Sequence, residues 1–268
     1  VDFENERLLE VKGDRSLGEY CWTCTPSIIK YCIEVYSLEL CTYLDADLFF
    51  FSDPKVLIDE LGDSSILITE HRYTEKYDQS FSCGIYCVQF MSFKNDVDGM
   101  ECLEWWKDEC LKWCYDRFED GRFGDQKYLD DWKVRFNGVH VLESLGGGVA
   151  PWNVQQYVIE ETGGGVFGVE KSSGIRFRVV FYHFHGLRLI ERDYIEMGNY
   201  LLSKEAIAVL YRQYGIKLFF IKNFLESSKY HFSFYDSVVF IGLLRTKMNN
   251  IKRRIQGTYN ILPGSFFR

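Results

Sequence analysis

The stretch "LCTYLDADLFFFSDP" (40 to 54) constrains the fold most: a five-residue apolar run closes on two carboxylates, Asp45 and Asp47, before Ser52, Asp53 and Pro54. Side chains alternate across a strand, so Asp45 and Asp47, two apart, point the same way. Ligands bind at the carboxyl ends of strands in open α/β sheets. Two carboxylates at such a position, in a chain of net charge −8, repel each other unless a cation lies between them. Carboxylate oxygens suit hard ions, so Mn2+ or Mg2+ is the expected partner, with coordination positions left for substrate phosphates. The competing reading is a plain turn towards Asp53 and Pro54.

The flanking sequence alternates helical and strand patterns, which favours an α/β sheet. Thr25 reads as a cap and Pro26 as the first residue of a helix continued by Ile29, Cys32, Ile33 and Tyr36. "LCTYL", "SSILIT" (64 to 69) and "GIYCVQF" (84 to 90) read as strands. Residues 100 to 118 carry apolar side chains at 103, 106, 110 and 113, one face of a long helix, and Asp125 is placed to cap another through "QKYLDDW". "LGGGVAPWN" and "TGGGVFG" read as loops. The nine cysteines all lie between Cys21 and Cys114, an odd number with no secretory signal before them, which favours reduced thiols and a cytoplasmic setting. No apolar run approaches the roughly 18 residues of a membrane span.

Four stretches in order resemble a known family, the GT-A glycosyltransferases and in particular family eight. That branch includes glycogenin and bacterial lipopolysaccharide galactosyltransferases, and the match is to uncharacterised bacterial members. The strand with Asp-x-Asp and "SDP" resembles the metal and nucleotide-sugar motif, "FSCGIYCVQF" the Asn-Ser-Gly strand, "GDQKYLDDW" the Asp-Gln helix start, and "FYHFHGL" the His-x-x-Gly motif. The resemblance spans roughly Thr25 to Arg188 and implies a mixed sheet flanked by helices. It implies transfer of a hexose from a nucleotide-diphospho-sugar, such as a UDP-sugar, to a glycan or glycolipid acceptor, with retention and without nucleic acid. Asp45, Asp47 and His183 are implied as metal ligands. Ser82, Gly84, Trp152, Asn153, Gly186 and Arg188 are implied around the donor, and Asp125 and Gln126 beside the anomeric carbon. Two positions depart from the pattern: Ser82 stands for Asn, and the Lys-Pro-Trp after His-x-x-Gly is absent, leaving Arg188 as the nearest cation. His183 and His185 fall on one side of a continuing strand, so geometry admits either, and the spacing to Gly186 favours His183.

Other readings were weighed. Gly163, Gly165 and Gly168 fit G-x-G-x-x-G, but no helix pattern follows, so a dinucleotide loop is rejected. Cys21 and Cys24 form C-x-x-C without a second pair of zinc spacing. His71 and His140 read as structural, with His71 and Arg72 also placed to line the pocket, and His231 is uninformative. An aspartyl-nucleophile phosphatase shares strand-Asp-x-Asp but wants Thr or Val where Phe49 stands. A non-catalytic sugar-nucleotide-binding module remains the other class.

Two features concern the ends of the chain. The first methionine is Met91, which suggests a natural N-terminus upstream of Val1. A βαβ unit takes roughly 30 residues, so the 44 residues before Asp45 hold at most one, and the base and ribose pocket is expected to be incomplete. Residues 201–268 carry 11 Lys/Arg against 3 Asp/Glu, beside 20 against 36 in residues 1–200. The expected organisation is a catalytic domain (1–200) and a mainly helical, basic, aromatic extension (201–268). Through 238–254, with Val238, Val239, Phe240 and Leu243 beside Arg245, Lys247, Lys252, Arg253 and Arg254, the extension is expected to meet an anionic membrane surface from the cytoplasmic side.

Overall fold

A computed structural model describes residues 3–190, 194–227 and 243–267 and shows a mixed α/β chain in two compact units. Unit 1 comprises Val1–Leu48 and Asp53–Gly148; unit 2 comprises Phe49–Ser52 and Val149–Arg268. The expected boundary at 200/201 lies inside unit 2.

Unit 1 opens with α1 (Glu6–Lys12) and α2 (Leu17–Tyr36). Helix α2 starts well before Pro26, because Ser16 and Glu19 form a reciprocal capping box at its N-terminus. Pro26 therefore sits inside the helix, and the expected start there is corrected. The hydroxyls of Thr23 and Thr25 donate back to Glu19 O and Cys21 O at 2.8 and 3.3 Å, just ahead of the missing proline N–H. Next come β1 (Leu40–Leu44), β2 (Leu48–Phe50), α3 (Lys55–Asp59), β3 (Ile66–Glu70), α4 (Ser80–Cys83) and β4 (Tyr86–Lys94). Then follow α5 (Val97–Lys112), α6 (Trp132–Arg135) and β5 (Val139–Val141).

The sheet order is β1-β4-β3-β5, with β4 antiparallel to both neighbours and β3 parallel to β5. All three expected strands are present: β1 at its expected bounds, β3 and β4 each shifted by a few residues. Ile29 and Ile33 of α2 pack with Ile66, Phe93 and Trp106 in one apolar core, where Trp106 stacks on Phe93 at 6.2 Å and meets Trp132 edge-on at 5.5 Å. Asp96 caps α5 by accepting from the Gly99 N–H at 2.8 Å. That helix ends at Lys112, six residues short of the expected limit, where Trp113 turns extended (φ −154°, ψ 123°).

In unit 2, β6 (Tyr157–Thr162), β7 (Gly165–Glu170) and β8 (Arg176–Arg178) form an antiparallel sheet. The second glycine stretch is thus a hairpin whose Gly165 and Gly168 lie in β7, and the dinucleotide reading finds no helix to serve it. Strand β9 (Phe181–His183) pairs with β2, and the Phe51 N–H bonds Val180 O at 2.8 Å. After β10 (Leu187–Ile190) and β11 (Tyr194–Met197) come α7 (Lys204–Ala206), α8 (Arg212–Glu226), α9 (Leu243–Ile255) and β12 (Ile261–Pro263).

The 201–268 segment is helical in α7 to α9, but β12 returns to pair antiparallel with β11, so the segment builds part of the β10-β11-β12 sheet. Arg253 faces inward: it is 7% exposed and its Nη1 donates to Glu196 Oε1 at 2.5 Å. It is thereby removed from the basic surface expected of this helix, while Lys252 and Arg254 are exposed. Val238, Val239, Phe240 and His231 lie outside the described residues. Among the described residues no helix is long and apolar enough to cross a membrane.

Candidate active site

The sequence-predicted residues divide between the units, and each group is described within its own. Asp45, Asp47, Ser82, Gly84, Asp125 and Gln126 lie in unit 1; Trp152, Asn153, His183, Gly186 and Arg188 lie in unit 2.

In unit 1, Asp45 follows directly on β1. Its N–H bonds Gln89 O at 2.9 Å, one step past the last β1–β4 pair, so strand geometry persists to the carboxylate. The Tyr43 hydroxyl donates to Asp45 Oδ1 at 2.8 Å. Cys87 is buried among carboxylates: burial pushes its thiol pKa up, and the charges of Asp45, Asp125 and Asp47 push it further. The charges of three carboxylates thus reach one buried thiol.

Asp125 is only 4% exposed, and its Oδ2 has no hydrogen-bond partner. Burial, then the charge of Asp45, raises its carboxyl well above the ordinary range, although its own N–H and the Thr25 hydroxyl favour the ionised form. The expected cap is therefore corrected: a 3-10 turn, Lys127–Asp131, begins at Gln126 without a side-chain cap, and the Asp125 carboxyl points inward. Trp106 Nε1 anchors the Asp125 carbonyl at 2.8 Å.

The neighbouring segments are knitted together. Gln126 Nε2 donates to Cys83 O at 2.9 Å, and Lys127 Nζ to Ser80 O at 2.8 Å. Asp130 Oδ1 accepts from the Ile85 N–H at 2.8 Å. Gly84, at φ +111°, turns between α4 and β4 where a Cβ would lie 3.1 Å from that same oxygen. Ser82 is half-buried, its hydroxyl 3.4 Å from Gln79 O. The structure so brings Gly84, Asp125 and Gln126 to one place in unit 1.

In unit 2, β9 stops at His183, and Gly186 at φ +74° turns the chain, so His185 lies beyond the strand and the expected continuation is corrected. The imidazoles still meet. Their centroids are 5.8 Å apart at 88°, and one nitrogen of each lies within 4.8 Å of the other. Trp152 stands edge-on to both, at 5.2 Å from His183 and 5.6 Å from His185, which restricts how either ring can turn. His183 is 4% exposed, whereas His185 is open to solvent. Asn153 is buried and closes its own loop, its Oδ1 accepting from the Ala150 N–H at 2.9 Å. Arg188 faces Glu196 across the β10–β11 ladder and pairs with it at 3.0 Å.

Among the described residues, the other two histidines take structural partners. His71 Nδ1 lies 3.1 Å from Ile85 O, with its ring stacked on Tyr73 at 4.4 Å, and His140 pairs with Glu60 at 2.9 Å. Arg72 donates to the carbonyls of Leu142, Ser144 and Gly147, binding the first glycine-rich loop to unit 1. All nine cysteines are free thiols, and among the described residues none joins a metal-ligating cluster. Sequence reasoning passed over Tyr43, Thr25 and Cys87. Only Tyr43 had a local signal, its i−2 spacing from Asp45.

No protein-family model matches the chain. Two Bacillus subtilis (strain 168) proteins, both described as uncharacterized, are similar to it. YfnD is 30% identical over 223 residues, covering 81% of this chain and 70% of that protein. YfnF is 35% identical over 201 residues, covering 72% and 65%.

Proposed function

The chain belongs to the same family as YfnD, and on the resemblance of its four ordered motifs we propose that it is a metal-dependent GT-A hexosyltransferase. In this reading it moves a sugar from a nucleotide-diphospho-sugar, such as a UDP-sugar, to a glycan or glycolipid acceptor. One observation carries the reading: Asp125 Oδ2 is buried without a partner, in a unit where the charges of Asp45, Asp47 and Asp125 all reach the buried Cys87 thiol. Such a surplus of carboxylate charge and unspent acceptor capacity is what a bound cation and an electron-poor substrate would complete.

The donor chemistry fits Mn2+ or Mg2+, with oxygen from Asp45 and Asp47 and, on motif order, nitrogen from His183. When bound, the ion supplies positive charge to the leaving diphosphate. The chain's own residues serve the other end of the breaking bond, where positive charge builds on the sugar carbon. With its Nε2 committed to Cys83 O, Gln126 keeps its amide oxygen, the electron-rich end, for that carbon. Asp125 is the second candidate, its carboxyl pKa raised by burial and by the charge of Asp45.

The membrane part of the proposal now rests on α9. Met248, Ile251 and Ile255 are exposed there beside exposed Lys252 and Arg254, a pairing suited to the headgroup region of an anionic bilayer. The enzymatic reading is tested by incubating the chain with UDP-hexoses, with and without Mn2+, and measuring released UDP and free sugar. Mn2+-dependent release that disappears in Asp45→Ala and Asp47→Ala supports it. Binding of nucleotide-sugar without any release would favour a non-catalytic module, and neither binding nor release would end the proposal.

A further inference from the structure

We propose that Tyr43 is a positioning residue for the metal site: its hydroxyl holds the Asp45 carboxylate in its ligating orientation. The inference rests on the reading of Asp45 as a metal ligand.

The backbone sets the pair up. Tyr43 lies in register opposite Met91, and the ladder continues to the Asp45–Gln89 bond, so Tyr43 and Asp45 project from the same side of one uninterrupted strand. At 2.8 Å the phenol donates to Oδ1, which keeps another lone pair and leaves Oδ2 untouched by this bond. The carboxylate can then accept the phenol and a cation together. The Tyr43 ring packs against the core cluster that holds Ile29, Ile33 and Trp106, so its hydroxyl is presented to Asp45 from a rigid support.

A purely apolar role would be met by Phe at this strand position, without the cost of burying a hydroxyl. An outer donor of this kind fixes ligand orientation, and its loss typically lowers metal affinity roughly 10- to 100-fold.

Tyr43→Phe removes the hydroxyl and keeps the ring. Mn2+ alone is titrated against the whole chain, with free ion counted by electron paramagnetic resonance and the metal-free melting curve recorded alongside. The expected result is a Kd raised roughly 10- to 100-fold with the cooperative melt retained. If wild type fails to bind Mn2+, or Asp45→Ala binds as well as wild type, the metal reading itself falls. If wild type binds, Asp45→Ala does not, and Tyr43→Phe matches wild type, the positioning role alone is overturned. Should Tyr43→Phe not fold, Tyr43→Met decides in its place: weakened Mn2+ binding with a cooperative melt sustains the proposal, and wild-type affinity refutes it.

Discussion

Asp125 carries a charge burden that can be measured in free energy. Its carboxyl is buried beside Asp45, and its pKa in the folded chain lies well above the unfolded value of about 3.9. Between those two pKa values the folded chain holds a proton that the unfolded chain has released. The stabilisation is therefore complete below about pH 4 and is lost as pH rises towards the folded pKa, at about 1.4 kcal/mol per pH unit.

Asp125→Asn cannot titrate. The groups that favour the ionised form, its own N–H and the Thr25 hydroxyl, need an oxygen opposite them, so the new amide nitrogen takes the place of the unpartnered Oδ2. An unmet buried donor costs about 1–3 kcal/mol. The variant should start less stable near pH 4, and wild type should lose that advantage within about one to two pH units at the slope above. Urea denaturation at pH 4.5, 5.5 and 6.5 reads this through tryptophan fluorescence, since five of the six tryptophans lie in unit 1. The difference between the two proteins is the measured quantity, because Asp45 and Asp47 titrate in both. Saturating Mn2+ should flatten the wild-type slope by offsetting the Asp45 charge. Parallel stability curves across these pH values, without metal, would refute the reasoning.

Three other outcomes are expected. His183→Ala should raise the Mn2+ concentration needed for nucleotide-sugar hydrolysis roughly 10- to 100-fold and His185→Ala much less; the opposite order in a metal titration moves the ligand role to His185. Arg253→Met leaves the buried Glu196 carboxylate with Arg188 as its remaining cation and should cost about 1.5–3 kcal/mol, with Glu196→Leu restoring part of it in the double variant; thermal or urea melts that match wild type would show the pair to be energetically idle. Binding to anionic liposomes should weaken with salt and fall further in Lys252→Glu/Arg254→Glu, whereas equal sedimentation with neutral and anionic vesicles would remove the membrane idea.

The sequence announces what is decided by neighbours within a few residues. The strand running into Asp45 and the capped start of the turn-to-strand segment at Gly84 follow from alternation and from a backbone angle, +111°, suited to glycine. Readings went astray where a distant group outweighed the local one. Pro26 is a good helix start in isolation, but Ser16 and Glu19 nucleate the helix earlier, and the chain absorbs one missing N–H within an already formed helix. Asp125 precedes a helical pattern as a cap would, yet a cap must stay near solvent-exposed N–H groups, and Trp106 holds this backbone inside the core. Arg188 looks like a spare cation until β11 pairs with β10 and sets Glu196 opposite it, eight residues on. The same logic explains why the cluster itself was only half legible. Asp45 and Asp47 flank the turn that follows β1 and declare themselves by spacing, but Cys87 and Asp125 arrive from β4 and from the loop before the 3-10 turn. Only the closed sheet brings their charges close enough to act on one another.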